Sequence, residues 1–268
     1  MTTISDTHFL KHPTNLTVTD LENYDWDLIE LPITFDINTA MEWFNTVKQN
    51  YADCAYCPGR DKHIIGNDAN RDQIFNYIVN NAIWGTGLQW MLQWSYDRDG
   101  ALPSVANGNV TLYPELTSPD FNVSNTNLSK YMFGAYESYH RLLGNECFRA
   151  VKLLEFKPGD GLQPHVDVDV IREGKWKFRL SFQLTTNADV WWRFSDDASP
   201  HLSAMSELQS SSTHSREYKP ESGKVYLVNT AVTHCIKNEG ESNWVIIQSD
   251  PDDSMINRLL QIEKLHIC

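Results

Sequence analysis

VKLLEFKPGDGLQPHVD, residues Val151 to Asp167, decides how this chain is read. Its first six residues form a short run of branched and aromatic side chains, the composition of a strand. Lys157-Pro158-Gly159-Asp160-Gly161 is a turn signal, because proline presets one backbone angle and glycine supplies conformations other residues avoid. Beyond the turn, His165 and Asp167 stand two residues apart. Successive side chains alternate faces on an extended chain, so this spacing points both to one side. A second histidine from a later strand, His234, would complete three ligands on one face of a metal. Two imidazoles and one carboxylate with open positions opposite suit non-haem Fe(II) and oxygen chemistry. A bare His-x-Asp carries little information, and its ordered context is what raises it.

Downstream, Trp176 to Leu184 and Lys224 to Val228 read as strands, a tight turn offers His234, and Trp244 to Ser249 resumes the strand pattern. The first half is helical in character. Thr39 to Asn50 spaces Met41, Phe44 and Val47 three apart, one helical face. Asn70 or Asp72 caps a helix through Ile74, Tyr77, Ile78 and Ile83, and Asn127-Leu128-Ser129 precedes helix-spaced Met132, Tyr136, Tyr139 and Leu143, with Gly144 as a stop. Asp97 to Asn127 reads as loops with a short strand at Val110 to Tyr113, and Asp252 to Leu265 as an amphipathic helix. Helices outside a β-sandwich or barrel is the architecture that follows: α+β, mainly β. One domain is expected over 1–268, with a mainly helical elaboration over 1–147, a β core carrying the metal site over 148–250, and a C-terminal helix within 251–268. The polar stretch from Arg193 to Glu217 is either a lid or substrate loop or a tolerated insertion.

The formal net charge is −13, from 22 basic and 35 acidic residues. That balance repels a polyanion, and no basic run offsets it, so nucleic acid is not an expected partner. Hydrophobic residues at 41% and aromatics at 12% suffice for a packed core. No signal-peptide pattern opens the chain and no apolar run is long enough to span a bilayer. Five scattered cysteines fit a reducing compartment better than a disulfide framework, and a cytoplasmic location is expected. Cys54, Cys57 and His63 resemble half of a zinc site, but no second pair of cysteines completes four ligands. Asp169 shares the face of Asp167 and reads equally as a partner of a ligand imidazole or as a solvated strand end.

LLEFKPGDGLQPH (residues 153–165), RLSFQL (179–184) and SGKVYLVNTAVTH (222–234) resemble the Fe(II)/2-oxoglutarate-dependent oxygenases, in particular their aspartyl/asparaginyl β-hydroxylase-like branch. The resemblance implies a double-stranded β-helix, a jelly roll of two sheets, with N-terminal helices packed outside and iron in its mouth. His165, Asp167 and His234 match the ligand positions. The implied activity is hydroxylation of an amino-acid or peptide side chain, with O2 and 2-oxoglutarate consumed and succinate and CO2 formed. Arg179 matches a cationic anchor for the far carboxylate of 2-oxoglutarate; a guanidinium on an otherwise apolar strand needs an anionic partner, and its fork fits a carboxylate, the alternatives being a structural ion pair or an outward-facing side chain. Ser181, two residues on, could add a hydroxyl. Two departures stand out. The family commonly has a basic residue on the strand after the distal histidine, where this chain has Trp244, and often a hydroxyl residue where Leu154 stands. With Arg193 or Lys237 as possible substitutes for the missing cation, a second class stays open: a cupin-like metal- or small-molecule-binding protein without 2-oxoglutarate turnover.

Overall fold

The computed structural model describes residues 8–11, 16–23, 25–50, 52, 87–95, 112–118, 123–126, 148–165, 178–195 and 215–267. In chain order its elements begin with β1 (Phe9–Lys11), α1 (Val18–Leu21), β2 (Leu28–Leu31), β3 (Ile33–Phe35) and α2 (Ile37–Asn50). Next come β4 (Leu88–Ser95), β5 (Leu112–Ser118), β6 (Val123–Thr126), β7 (Phe148–Phe156), β8 (Gly161–His165), β9 (Phe178–Thr185) and β10 (Val190–Ser195). The chain ends with β11 (Ser215–Tyr218), β12 (Val225–Asn229), β13 (Thr233–Asn238), β14 (Trp244–Pro251), α3 (Asp253–Leu260) and β15 (Leu265–Ile267).

Strands β7 to β14 divide between two antiparallel sheets in a fixed order, β12-β9-β14-β7 in one and β11-β10-β13-β8 in the other. Numbered one to eight along the chain, they run 6-3-8-1 and 5-4-7-2. That order is the double-stranded β-helix, so the jelly roll expected from the sequence is present. The first sheet grows to nine strands, with β2 and β1 added beyond β12 and β4, β6 and β5 beyond β7.

Alternation on β9 separates two hydrophobic layers. Phe178, Leu180, Phe182 and Leu184 join the cluster formed with Val18, Leu21, Ala40, Trp43, Phe44, Val47 and the α3 side chains Met255, Ile256, Leu259 and Leu260. Among the described residues, α1, α2 and α3 therefore cover the outer face of the large sheet. Asp252 caps α3, its side chain accepting from the Met255 N–H at 2.7 Å. Between the sheets lies a second cluster: Leu154, Phe156, Val190, Trp192, Phe194, Tyr226, Val228, Ile236, Trp244 and Ile246. With helices on its outside, the large sheet turns its polar alternates Arg179, Ser181 and Gln183 inward.

The eight core strands define two ends. Residues 157–160, 186–189 and 239–243 close one of them, where the Gly159 N–H donates to the Asn238 carbonyl and Asn187 Nδ2 to Asn238 Oδ1. Gly159 has φ of 87°, the left-handed region that favours glycine. At the other end, the mouth, β8 finishes at His165 and β13 begins at Thr233. A Cβ on Gly161 would strike the Ile236 carbonyl oxygen across the β8–β13 pair. Gly161→Ala is thus expected to push β8 off β13 and destabilise the protein by about 1–3 kcal/mol in urea unfolding. Unchanged stability would show that β8 can shift freely.

Several sequence expectations need correction. The helix read at 39–50 is α2, but the first half also contributes β1 to β6. Strands β1, β2, β3 and β6 are three or four residues each, too short to announce a strand, and β5 overlaps the short strand read at Val110 to Tyr113. Strand β4, by contrast, alternates Leu88, Trp90, Leu92 and Trp94 with Gln89, Met91, Gln93 and Ser95, a period-2 signal that the helical reading of the first half passes over. The C-terminal helix is only Asp253–Leu260; the chain then turns and β15 pairs in parallel with β3. Tertiary pairing with a strand far away in sequence overrides the local helical pattern there. The helices read through Ile74 to Ile83 and Met132 to Leu143 lie outside the described residues. Among the described residues no helix is long and apolar enough to cross a membrane.

Candidate metal centre in the jelly-roll mouth

His234 is not in a turn, as the sequence suggested, but is the second residue of β13. Its register partner is His165 at the end of β8. Directly opposed positions of an antiparallel pair share one face of a sheet and lie about 4.5–5.5 Å apart at Cβ, so the fold brings the two histidine positions together from 69 residues apart in the numbering. Asp167 lies outside the described residues. Among the described residues no three His, Cys, Asp or Glu side chains cluster as a metal would require.

The His234 ring is held on two sides. Nδ1 donates to the Val232 carbonyl oxygen at 2.9 Å, and Phe194 stacks on the ring at 6.1 Å between centroids and 26° between planes. A carbonyl can only accept, so the ring proton sits on Nδ1 and the lone pair of the neutral ring on Nε2. An Nδ1–H bonded to a backbone carbonyl is the arrangement that orients a metal-binding imidazole. The donor chemistry therefore fits a divalent transition metal on His234 Nε2.

Register extends this geometry into a row across the smaller sheet, running His165, His234, Phe194 and Arg216. Arg216 is gripped by Asp27, with Nε to Oδ2 at 2.6 Å and Nη2 to Oδ1 at 2.9 Å, and the Tyr218 hydroxyl donates to Oδ2 at 2.8 Å. Burial, with the Asp27 charge second, pushes the Tyr218 phenol above its ordinary range. Asp27 precedes β2 of the large sheet and Arg216 lies on β11 of the small one, so this pair ties the two sheets together at the mouth.

On the large sheet, Arg179 Nε donates to Asp250 Oδ1 at 2.9 Å, the two side chains being 13% and 9% exposed. Arg179 thus faces the interior at the mouth, where it forms an ion pair with Asp250. Farther in, Ser181 faces inward as expected, and a chain of hydrogen bonds links it to the closed end. Trp244 Nε1 donates to Gln183 Oε1 and Gln183 Nε2 to Ser181 Oγ, each at 2.9 Å. Trp244 is fully buried, packed between Phe156 and Trp192. Leu154, the other departure, is buried in the same inner cluster.

Neither proposed substitute cation faces this interior. Arg193 lies over Trp191 at 3.7 Å and pairs with Glu217, on the outer face of the small sheet, and Lys237 is registered opposite Trp191 on the same side. Cys235 also points outward against Trp191, as strand alternation required, and burial pushes its thiol up to about 12. Asp169, Arg172, Trp176, Cys54, Cys57, His63 and the polar stretch 196–214 lie outside the described residues. Three inner residues escaped the sequence reading: Gln183, Asp250 and Arg216. The period-2 pattern FRLSFQLT singles out Gln183, and the alternates Trp244, Ile246, Gln248 and Asp250 single out Asp250. No local signal marks Arg216, which owes its place to sheet register.

Fold and site together define a double-stranded β-helix protein with two opposed histidine positions at its mouth. No protein-family model matches the chain, and no curated protein matches it. Among solved structures, an oxidoreductase of the 2OG-Fe(II) oxygenase family from Burkholderia pseudomallei aligns at 9% identity over 63% of this chain and 68% of its own, with a TM-score of 0.33. A cupin domain from Bordetella pertussis aligns at 14% identity over 38% of this chain and 79% of its own, with a TM-score of 0.26. Bacillus subtilis oxalate decarboxylase, described with Mn(II) centres, aligns at 17% identity over 39% of this chain and 22% of its own, with a TM-score of 0.25. At such values the fold assignment stands on strand order alone.

Proposed function

We propose that the protein is an Fe(II)/2-oxoglutarate-dependent oxygenase that hydroxylates an amino-acid or peptide side chain. The observation that carries this is His234, opposed to His165 in register and held through Nδ1 by the Val232 carbonyl, which supports Nε2 as the nitrogen offered to a metal. His165, Asp167 and His234 hold the metal in this reading, and Arg179, with Ser181 beside it, takes the far carboxylate of 2-oxoglutarate. Placement of both residues on the inner face of β9 at the mouth end supports that role. Bound iron supplies the oxidation, coupled to decarboxylation of the oxo acid to succinate and CO2. The chain's own work is to orient the ligands, neutralise the co-substrate's charge and exclude water from the closed end with Trp244, Phe156 and Trp192. The sequence resemblance to the aspartyl/asparaginyl β-hydroxylase-like branch is what points to the substrate class, and the cytoplasm is where we place the reaction.

Anaerobic titration with Fe(II) and then 2-oxoglutarate tests the reading through the visible charge-transfer absorption of a bidentate chelate. We expect saturable absorption in the wild type. Removing both partners of the inner ion pair, Arg179→Met with Asp250→Asn, avoids an orphaned charge. It should lower 2-oxoglutarate affinity by about a hundredfold, the scale of a lost buried charged contact, and leave iron affinity alone. Undiminished affinity would remove Arg179 from the anchor. One observation favours a second reading, a cupin-like metal- or small-molecule-binding protein without 2-oxoglutarate turnover: fully buried Trp244 stands where the resemblance implies a basic residue. Iron uptake without chelate absorption would make that the leading account.

A further inference from the structure

The Trp244–Gln183–Ser181 chain has a fixed polarity. An indole N–H can only donate, so Trp244 requires the oxygen of the Gln183 amide. That choice turns the amide nitrogen, which can also only donate, toward Ser181 Oγ. The serine oxygen thus accepts from Gln183 and its own O–H must point elsewhere. Among the described residues, Gln183 is the one hydrogen-bond partner of that hydroxyl. Ser181 has no solvent exposure, so water at the surface does not relieve it, and a buried donor without an acceptor is costly. On the same face of β9, Gln183 flanks Ser181 on one side and Arg179 on the other. Asp250 holds Arg179 at Nε, which sets the plane of the guanidinium. A hydroxyl forced to donate next to an oriented guanidinium is a place for an anion.

We propose that Gln183 and Trp244 are positioning residues that fix Ser181 as a hydrogen-bond donor to the far carboxylate of the bound 2-oxo acid, beside Arg179. This rests on the co-substrate reading above. It also gives Trp244 a part to play. Where the family places a second charge, this chain passes the direction of a hydrogen bond from the closed end toward the mouth.

The test is calorimetric titration of 2-oxoglutarate into the Fe(II)-loaded protein under anaerobic conditions, with iron affinity and thermal unfolding followed in parallel. Ser181→Ala should weaken 2-oxoglutarate binding by roughly tenfold or more, as expected for a hydrogen bond to a charged group. Trp244→Phe and Gln183→Met, which release the amide or remove it, should each cost roughly threefold, a partial loss because Ser181 keeps its hydroxyl. In a Ser181→Ala background those two losses should vanish, because both residues act through the serine. Losses that persist undiminished in that background overturn the proposal, since Trp244 and Gln183 would then act by packing alone. An unchanged affinity in Ser181→Ala overturns it too. Gln183→Met leaves the aromatic cluster intact and so serves even where Trp244→Phe does not fold. Wild-type protein that binds iron and no 2-oxoglutarate ends both this inference and the co-substrate reading, whereas wild-type binding with insensitive variants ends the inference alone.

Discussion

His234→Gln is expected to abolish tight iron binding and, with it, any turnover. Losing merely an outer partner of a ligating histidine typically costs about ten- to a hundredfold in metal affinity, so losing the imidazole itself should exceed roughly a hundredfold. Glutamine keeps a polar side chain of similar reach near the Val232 carbonyl and Phe194, so the fold should survive. Anaerobic Fe(II) titration reads the affinity, and thermal unfolding of the metal-free protein serves as the control for stability. Equal iron affinity in the variant and the wild type would exclude His234 as a ligand. The locked Nδ1 then needs another explanation, and the metal reading of the mouth loses its main support.

The largest effect on stability is expected at Asp27, far from any residue the sequence marked. Asp27→Ala leaves the Arg216 guanidinium, whose side chain is 12% exposed, without its two-pronged partner, and strips the Tyr218 hydroxyl of its acceptor. Removing one partner of a buried ion pair costs about 3–5 kcal/mol, because the remaining charge is left desolvated. For a chain of this size that corresponds to a fall in Tm of roughly 10 °C. The double variant Asp27→Ala with Arg216→Met should recover much of the loss, since no charge is then stranded. If Asp27→Ala loses less than about 1 kcal/mol, in the range of a surface pair, the mouth is wetter than its burial implies. Because the pair bridges both sheets, its loss should also loosen the small sheet at the end that carries His234.

Local chemistry made the jelly-roll core legible. Pro158, Gly159 and Gly161 announce a reversal, and the apolar run before it is a strand because its neighbours bury both faces, Val151, Leu153, Leu154 and Phe156 all being buried. The inward set Arg179, Ser181 and Gln183 is visible in period-2 spacing alone. His165 and His234 are legible as candidates, though the local pattern places His234 in a turn where the backbone is already strand. Elements that depend on distant pairing were not readable. Strands β1, β3 and β15 are three residues each, too short to show a period, and each exists because another edge accepts it. The C-terminal helix stops at Leu260 for the same reason: the residues after Gln261 gain a parallel partner in β3 instead of further helix.

By itself the sequence determined the class of fold, the two histidines worth testing and the face of β9 that looks inward, because strand alternation and turn chemistry act between near neighbours. Only the tertiary structure decided what those residues meet. It set His234 against His165, gave Arg179 to Asp250 and Arg216 to Asp27, turned Arg193 and Lys237 outward, and buried Trp244 behind Gln183 and Ser181. Such contacts are properties of sheet register and of the space between two sheets, and no local stretch of chain encodes either.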